Sequence, residues 1–336
     1  MIRSIIVAAS LLCVSYAAQA QGMFINPFEE RSLGQQGHKA ALEKSGGLYQ
    51  DKVLADYVAA IGSKAAHTTA RHPEAFVFSL TADPELNAFA RMGGFIYINV
   101  GALVWINDEA ELAALLGHEV GHATSRHMAH YINRKNVATG LTRLSRLRRG
   151  ATDEDMKEKK VKATLLLLEY GRDNEYESDD IAFSAVVKMG LDPMGTPRML
   201  NQLVNRSNLF KAFSGENASE KETPDFLRSH PPSVDRVRRS LGKVSSLEDV
   251  ANSKFAYRDR YLDAIDGISL PGMQMTGAEP SRLTVISVQP GDTLESLGDR
   301  MVIPGPPGQL TLMAINGLNS EADLKAGMRL KLLVGN

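Results

Sequence analysis

The sequence predicts an α+β fold: a mainly helical domain with a small β-sheet, followed by a small βααβ domain at the C-terminus. Three observations carry this. Apolar residues recur at three- and four-residue spacing over residues 48–66, from 109 to about 133, and from about 158 to 189. Before residue 270, two runs (76–80 and 95–100) have the β-branched and aromatic content of strands. From Thr284 a new pattern begins, with Gly turns between alternating segments.

Composition bounds the rest. The 336 residues are 43% hydrophobic and 23% charged, which excludes disordered, collagen-like and coiled-coil classes and leaves room for about two domains. Lys and Arg number 38 against 39 Asp and Glu, a net charge of −1. So balanced a chain has no global field for nucleic acid, and no nucleic-acid partner is expected. One cysteine excludes an intramolecular disulfide and a multi-thiolate zinc site, so a metal centre must be built from carboxylates and the eight His.

Residues 1–20 read as an export signal. Arg3 is the basic start, residues 5–17 are apolar, and Ala18-Gln19-Ala20 fits a signal-peptidase site. The stretch is short of the roughly 20 residues a membrane span needs, which disfavours an uncleaved anchor. Cys13 follows Leu11-Leu12, which disfavours a lipoprotein. Cleavage after Ala20 leaves a chain without cysteine.

The elements then follow in order. Residues 21–44 form an irregular or helical lead-in. In 48–66, Leu54, Tyr57, Val58 and Ile61 share a helical face. Asn107 or Asp108 caps the helix that starts near Glu109. Pro224, Pro231 and Pro232 place 219–232 in a loop, and 271–283 is a linker. The organisation is therefore a signal (1–20), a first domain (21–270), the linker, and a second domain (284–336).

The helix from Glu109 carries His118-Glu119-Val120-Gly121-His122. Residues four apart on a helix are about 40° apart around its axis, so both imidazoles point one way and can hold one Zn²⁺. Glu119 then lies beside a water on that metal. A catalytic zinc needs a third protein ligand. The next long helix offers Glu175 and Asp179, again four apart. Glu175 can ligate, and Asp179 can accept the second ring N–H of a ligand His. An acidic solvated patch is the alternative for this pair. Glu177 points elsewhere on the helix, and His127 and His130 lie off the His118/His122 face, where surface packing is their default.

This pattern resembles the zinc metallopeptidase family of the CAAX prenyl proteases and the HtpX heat-shock protease, and within it the soluble periplasmic branch of the BepA type. Further motifs in matching order are Asn87-Ala88-Phe89-Ala90 with Gly93-Gly94, Glu111-Leu112-Ala113, and Ser229-His230-Pro231-Pro232 with Arg236. The similarity covers roughly residues 30–265. It implies a zincin-like domain and an endopeptidase, with His118, His122 and Glu175 holding one Zn²⁺ and Glu119 as the base. It also implies a role in envelope protein quality control, with misfolded or outer-membrane proteins as polypeptide substrates.

Substrate is expected along Asn87, Ala88, Phe89, Gly93, Gly94, Phe95, Ile96 and Tyr97, with strand 95–100 as the open edge to which a peptide adds as a further strand. An ordinary buried strand is the other reading. Three readings stand for His230: a donor to the developing oxyanion, a fourth zinc ligand that blocks the open position, or a structural loop residue. Arg236 can support the same developing charge.

Two further features remain. Arg134, Lys135, Arg143, Arg146, Arg148 and Arg149 occur without an intervening acid beside Val137, Leu141, Leu144 and Leu147. They describe a basic amphipathic helix that rests on anionic lipid as a peripheral membrane contact, covers the cleft, or is simply solvated. Residues 284–334 resemble a LysM module through the run from Val288 to Leu297, Ile315-Asn316-Gly317-Leu318 and the run from Leu324 to Leu332. Such modules bind N-acetylglucosamine polymers, which implies a peptidoglycan partner; docking on protein or a structural role is the alternative. Pro304-Gly305-Pro306-Pro307 and Glu295, where an aromatic is expected, depart from the pattern. The rivals to a protein-cleaving enzyme are a non-proteolytic envelope scaffold or chaperone and a hydrolase of wall peptide cross-links.

Overall fold

The computed structural model describes residues 25–146, 153–214, 224–247, 255–272 and 280–335. The predicted signal, residues 219–223 of loop 219–232, Arg148 and Arg149 of the basic stripe, and residues 273–279 of the linker lie outside them. No helix among the described residues is long and apolar enough to cross a membrane.

The lead-in is helical. Helix α1 (Pro27–Lys44) starts at Asn26, whose side chain accepts from the Phe28 and Glu29 N–H groups while Glu29 accepts from the Asn26 N–H. Helix α2 (Lys52–Ala66) is capped by Asp51 and buries Leu54, Val58 and Ile61. Strands β1 (Val77–Thr81), β2 (Ala88–Arg91) and β3 (Phe95–Asn99) form a sheet in the order β1-β3-β2, with β3 parallel to β1 and antiparallel to β2.

This order corrects one expectation. The run containing Phe95, Ile96 and Tyr97 is the central strand, buried along its whole length, so it has no free edge for a peptide. The edges belong to β1 and β2, and residues of β2 line the cavity described below. The turn between the two strands needs its glycines: Gly93 has φ 76°, and a Cβ there would lie 2.8 Å from Arg31 Cα. At Gly94 a Cβ would lie 2.3 Å from the Ala75 carbonyl oxygen.

After the short buried helix α3 (Ala102–Trp105), helix α4 (Glu109–Thr124) begins at Asp108, whose carboxylate accepts the Glu111 N–H at 2.8 Å. The helix does not run on to residue 133 as expected. It ends at Thr124, because Arg126 sits at φ 54°, a left-handed conformation incompatible with a continuing helix. Buried Glu30 and the Ile25 carbonyl hold the Arg126 guanidinium at 2.9 and 3.1 Å, which over-determines the turn. Helix α5 (His127–Arg146) starts in a new direction.

Helix α6 (Asp153–Lys188) lies against α4. The contact is close because α4 presents Gly117 and Gly121, where a Cβ would come within 3.2 Å of Ala182 Cα and 3.0 Å of Ser178 Cα. Helices α7 (Gly195–Ser214), α8 (Asp225–Ser229), α9 (Val234–Ser245) and α10 (Arg258–Ile265) complete the first domain.

The C-terminal unit is a three-stranded antiparallel sheet of order β4-β5-β6, from β4 (Ser269–Leu270), β5 (Ser281–Ser287) and β6 (Arg329–Gly335). Helices α11 (Leu294–Gly298) and α12 (Pro306–Asn316) lie between β5 and β6 in sequence. Two expectations change here. Strand β5 begins at Ser281, inside the predicted linker, and pairs with β4 from the end of the first domain. The departure at Pro304-Gly305-Pro306-Pro307 is partly helical, since Gly305 caps α12 and Pro306 and Pro307 occupy its first turn, where a missing N–H costs nothing.

One apolar core runs through both units, from Leu54 and Val58 through Ile98 and Leu112 to Leu312 and Leu332. Lys331 seals the junction: its fully buried ammonium donates to the Val104 and Ile106 carbonyls.

Candidate metal centre

Close packing of α4 on α6 brings the two four-residue pairs together. His118 Nε2 is 3.0 Å from His122 Nε2 and 3.5 Å from Glu175 Oε2, and His122 Nε2 is 3.2 Å from Glu175 Oε1. His230, at the end of α8, adds a fourth group, with Nδ1 3.2 Å from His118 Nε2 and 3.3 Å from Glu175 Oε2. These four ligand atoms lie within 4.8 Å of one another. A tetrahedral zinc with ligands at roughly 2.0–2.1 Å separates its ligand atoms by about 3.3 Å, so most of these spacings suit it.

The charges around the cluster are fixed from behind. Asp179 Oδ1 is 3.0 Å from His118 Nδ1. Arg236 donates to both oxygens of Asp179 at 2.7 and 2.8 Å, lies 3.0 Å from Glu175 Oε2, and donates to the Pro231 carbonyl at 3.2 Å. Its guanidinium is committed to those carboxylates. It orients the acids that face the histidines, and it also lines the cavity in which the charge it is expected to support would develop.

The titrations follow from these contacts. Burial pulls the His118 imidazole down, but Asp179 and Glu175 outweigh it and raise it to about 9. Burial dominates at His122, which falls to about 4 despite Glu175. Burial alone would raise Glu175, yet His230, His118 and His122 together hold it well below the usual carboxylate range. Asp179 is likewise held low against burial by Arg236 and His118.

Glu119 differs from the other acids. Its side chain is 0% exposed, and neither carboxylate oxygen has a hydrogen-bond partner; His230 Nε2 stands 3.7 Å away. An unpaired buried carboxylate is costly. A cation and a water held by the adjacent ligand set would relieve it, so the residues fit a metal centre. The centre opens into a cavity of about 800 Å³. Phe89 and Gly93 from the β2 region line it, as do Met128, Tyr131 and Tyr176. Asn87 and the central-strand residues Phe95, Ile96 and Tyr97 do not, and Ala88 is buried beneath the sheet.

Sequence reasoning missed His127. It is 5% exposed, with Nδ1 2.9 Å from His122 Nδ1 and Nε2 3.3 Å from Glu177 Oε2. Helix angle placed it off the face only because α4 was expected to continue. The signal was the non-glycine turn at Arg126, which no local residue pattern announces. Glu177 points away from the ligand cluster as expected, but it reaches His127.

Two facing helices that converge a His-Glu-x-x-His pair with a second Glu able to hold a metal, and a buried Glu without a hydrogen bond beside an open cavity, define a metallopeptidase. The chain belongs to peptidase family M48, whose model matches residues 53–243, and it carries a LysM domain over residues 286–332. It is 24% identical over 217 residues to the beta-barrel assembly-enhancing protease of Yersinia pestis, covering 62% of this chain and 42% of that protein. It is 30% identical over 186 residues to the mitochondrial metalloendopeptidase OMA1 of Arabidopsis thaliana, covering 55% and 35%. It is 26% identical over 206 residues to the metalloprotease YcaL of Escherichia coli, covering 58% and 70%. The chain thus spans less than half the length of the beta-barrel assembly-enhancing protease it matches.

Proposed function

We propose that the chain is a zinc-dependent endopeptidase of the bacterial periplasm that cleaves unfolded envelope proteins. The observation that carries this reading is the buried Glu119 carboxylate, which no group hydrogen-bonds, beside the His118, His122 and Glu175 ligand atoms at the end of an open cavity. Zinc held by those three side chains would polarise a carbonyl and lower the pKa of water. Glu119 takes the proton from the attacking water and returns it to the leaving amine. Asp179 keeps the His118 proton on Nδ1, which leaves Nε2 free to ligate. His230 Nδ1 lies among the ligand atoms, which favours a fourth ligand that closes the site at rest over a purely structural loop histidine.

The free edge of β2 supports binding an extended peptide through backbone groups, which is tolerant of sequence. Exposed Met128 and Tyr131 on the cavity wall favour large apolar side chains near the cleaved bond, a feature of unfolded chains. Export to the periplasm rests on the Ala18-Gln19-Ala20 pattern. The C-terminal module docks through Lys331 and leaves Gln289-Pro290-Gly291 and Ser320-Glu321-Ala322 exposed, the surface on which glycan is proposed to bind.

The test compares wild type with Glu119→Gln on unfolded casein, with and without a chelator, alongside zinc content. We expect chelator-sensitive cleavage by wild type, and a loss of roughly 10²–10⁴-fold in Glu119→Gln with zinc retained. Normal cleavage by the variant would refute the mechanism, and casein left intact by zinc-loaded wild type would favour a scaffold or a wall-peptide hydrolase. Retention of the full chain on insoluble peptidoglycan tests the wall partner separately.

A further inference from the structure

His127 is no member of the ligand set, yet it touches one. The reversal at Arg126 places it at the first position of α5, pointing back at α4. Its neighbours are His122 Nδ1 at 2.9 Å, Glu177 Oε2 at 3.3 Å and Ser178 Oγ at 3.5 Å.

The proton positions follow from the ring chemistry. His122 turns Nε2 toward His118 and Glu175, so Nε2 is the metal-facing atom. An imidazole that offers Nε2 to a metal carries its proton on Nδ1. That proton meets His127 Nδ1, which must accept it. A neutral His127 then carries its own proton on Nε2, and Glu177 accepts there. Ser125 Oγ donates to the other oxygen of Glu177 and holds the outer end of the relay.

We infer that His127 is a positioning residue for metal binding: as a neutral acceptor it fixes the tautomer and ring plane of His122. This rests on the ligand set proposed above. It gives the two ligand histidines unlike supports, an arginine-anchored carboxylate behind His118 and a neutral imidazole backed by Glu177 behind His122.

The test measures equilibrium zinc affinity of the full chain by competition with a chromophoric chelator, for wild type, His127→Leu, His127→Asn and Glu177→Ala, with thermal melts of the metal-free proteins. His127→Leu should bind zinc about 10–100-fold more weakly, the usual loss when such a partner is removed. His127→Asn should recover most of that affinity, since its Oδ1 can accept the His122 proton. Glu177→Ala removes a carboxylate whose side chain is 55% exposed, so the fold tolerates it, and a several-fold loss of affinity keeps the test open should His127→Leu fail to fold. Wild-type affinity in His127→Leu, or an Asn variant as weak as Leu with equal metal-free melts, would overturn the inference. A wild type that takes up no zinc would instead refute the metal reading on which it stands.

Discussion

At the N-terminal end of helix α4, Asp108 and Glu111 are buried but fully partnered: Arg198 bridges both at 2.8 and 3.2 Å, and backbone N–H groups complete them. At the other end, Glu119 is just as buried and has no hydrogen-bond partner, while three imidazoles and Glu175 crowd one small volume. The same helix thus carries one cluster satisfied by the protein and one that protein groups alone leave unsatisfied. A satisfied buried network specifies packing, whereas an unsatisfied one stores the cost of a group awaiting its ligand. The first cluster lies near the domain junction, where Lys331 donates to the Val104 and Ile106 carbonyls; the second faces the cavity.

The comparison breaks most visibly at the residue that supports the metal end. Arg236→Met leaves Asp179 and Glu175 without their cation, and removing one partner of a buried pair costs about 3–5 kcal/mol. Chemical denaturation should show that loss in the metal-free protein; a change under 1 kcal/mol would mean the pair is not held as described. At the opposite end, Lys331→Met removes two bonds to carbonyls at the domain junction. It should cost about 1–3 kcal/mol by the same measurement and leave zinc affinity unchanged. A change in zinc affinity there would show that the two ends are energetically coupled.

A pH series sharpens the contrast. Burial, with Asp108 nearby, raises Glu111 to about 7 in the folded protein, above its ordinary 4.5. The folded state therefore holds a proton that the unfolded state has lost, and stability falls as pH rises from about 4.5 to 7. His122 tilts the other way: held down at about 4, it is neutral in the fold while the unfolded residue is still charged below 6.5, so its contribution rises over that window. The informative quantity is the difference between wild type and Glu111→Gln, whose stability should lack the falling component. Equal pH profiles would show that Glu111 is ionised throughout. The smallest effect belongs to Arg329→Ala, which loses pairs to the exposed Asp259 and Asp263 and a long bond to the Asp259 carbonyl. We expect it to lie within about 0–1 kcal/mol of wild type.

Much of the site is legible in the chain because it is helical. His118, Glu119 and His122, and separately Glu175 and Asp179, are placed by a period of 3.6 residues that depends only on local geometry. The α+β class and the identities of both domains follow from motifs that lie within single elements. The misplaced peptide edge, in contrast, was a question of which strand lies between which. Strand 95–99 is buried along its length because it is central, and its composition does not distinguish that from an edge strand packed on one side.

What the sequence determined by itself is therefore the set of groups that can hold a metal and the carboxylate beside them, since spacing along a helix fixes direction. Apart from Asp179, which helical spacing placed, only the tertiary structure decided which groups stand behind them. His127 enters because Arg126 breaks the helix, Arg236 because α9 packs over α6, and Lys331 because β6 lies against α3. Each contact joins residues whose relation is set by packing between elements, and packing is a property of the whole chain that no local period encodes.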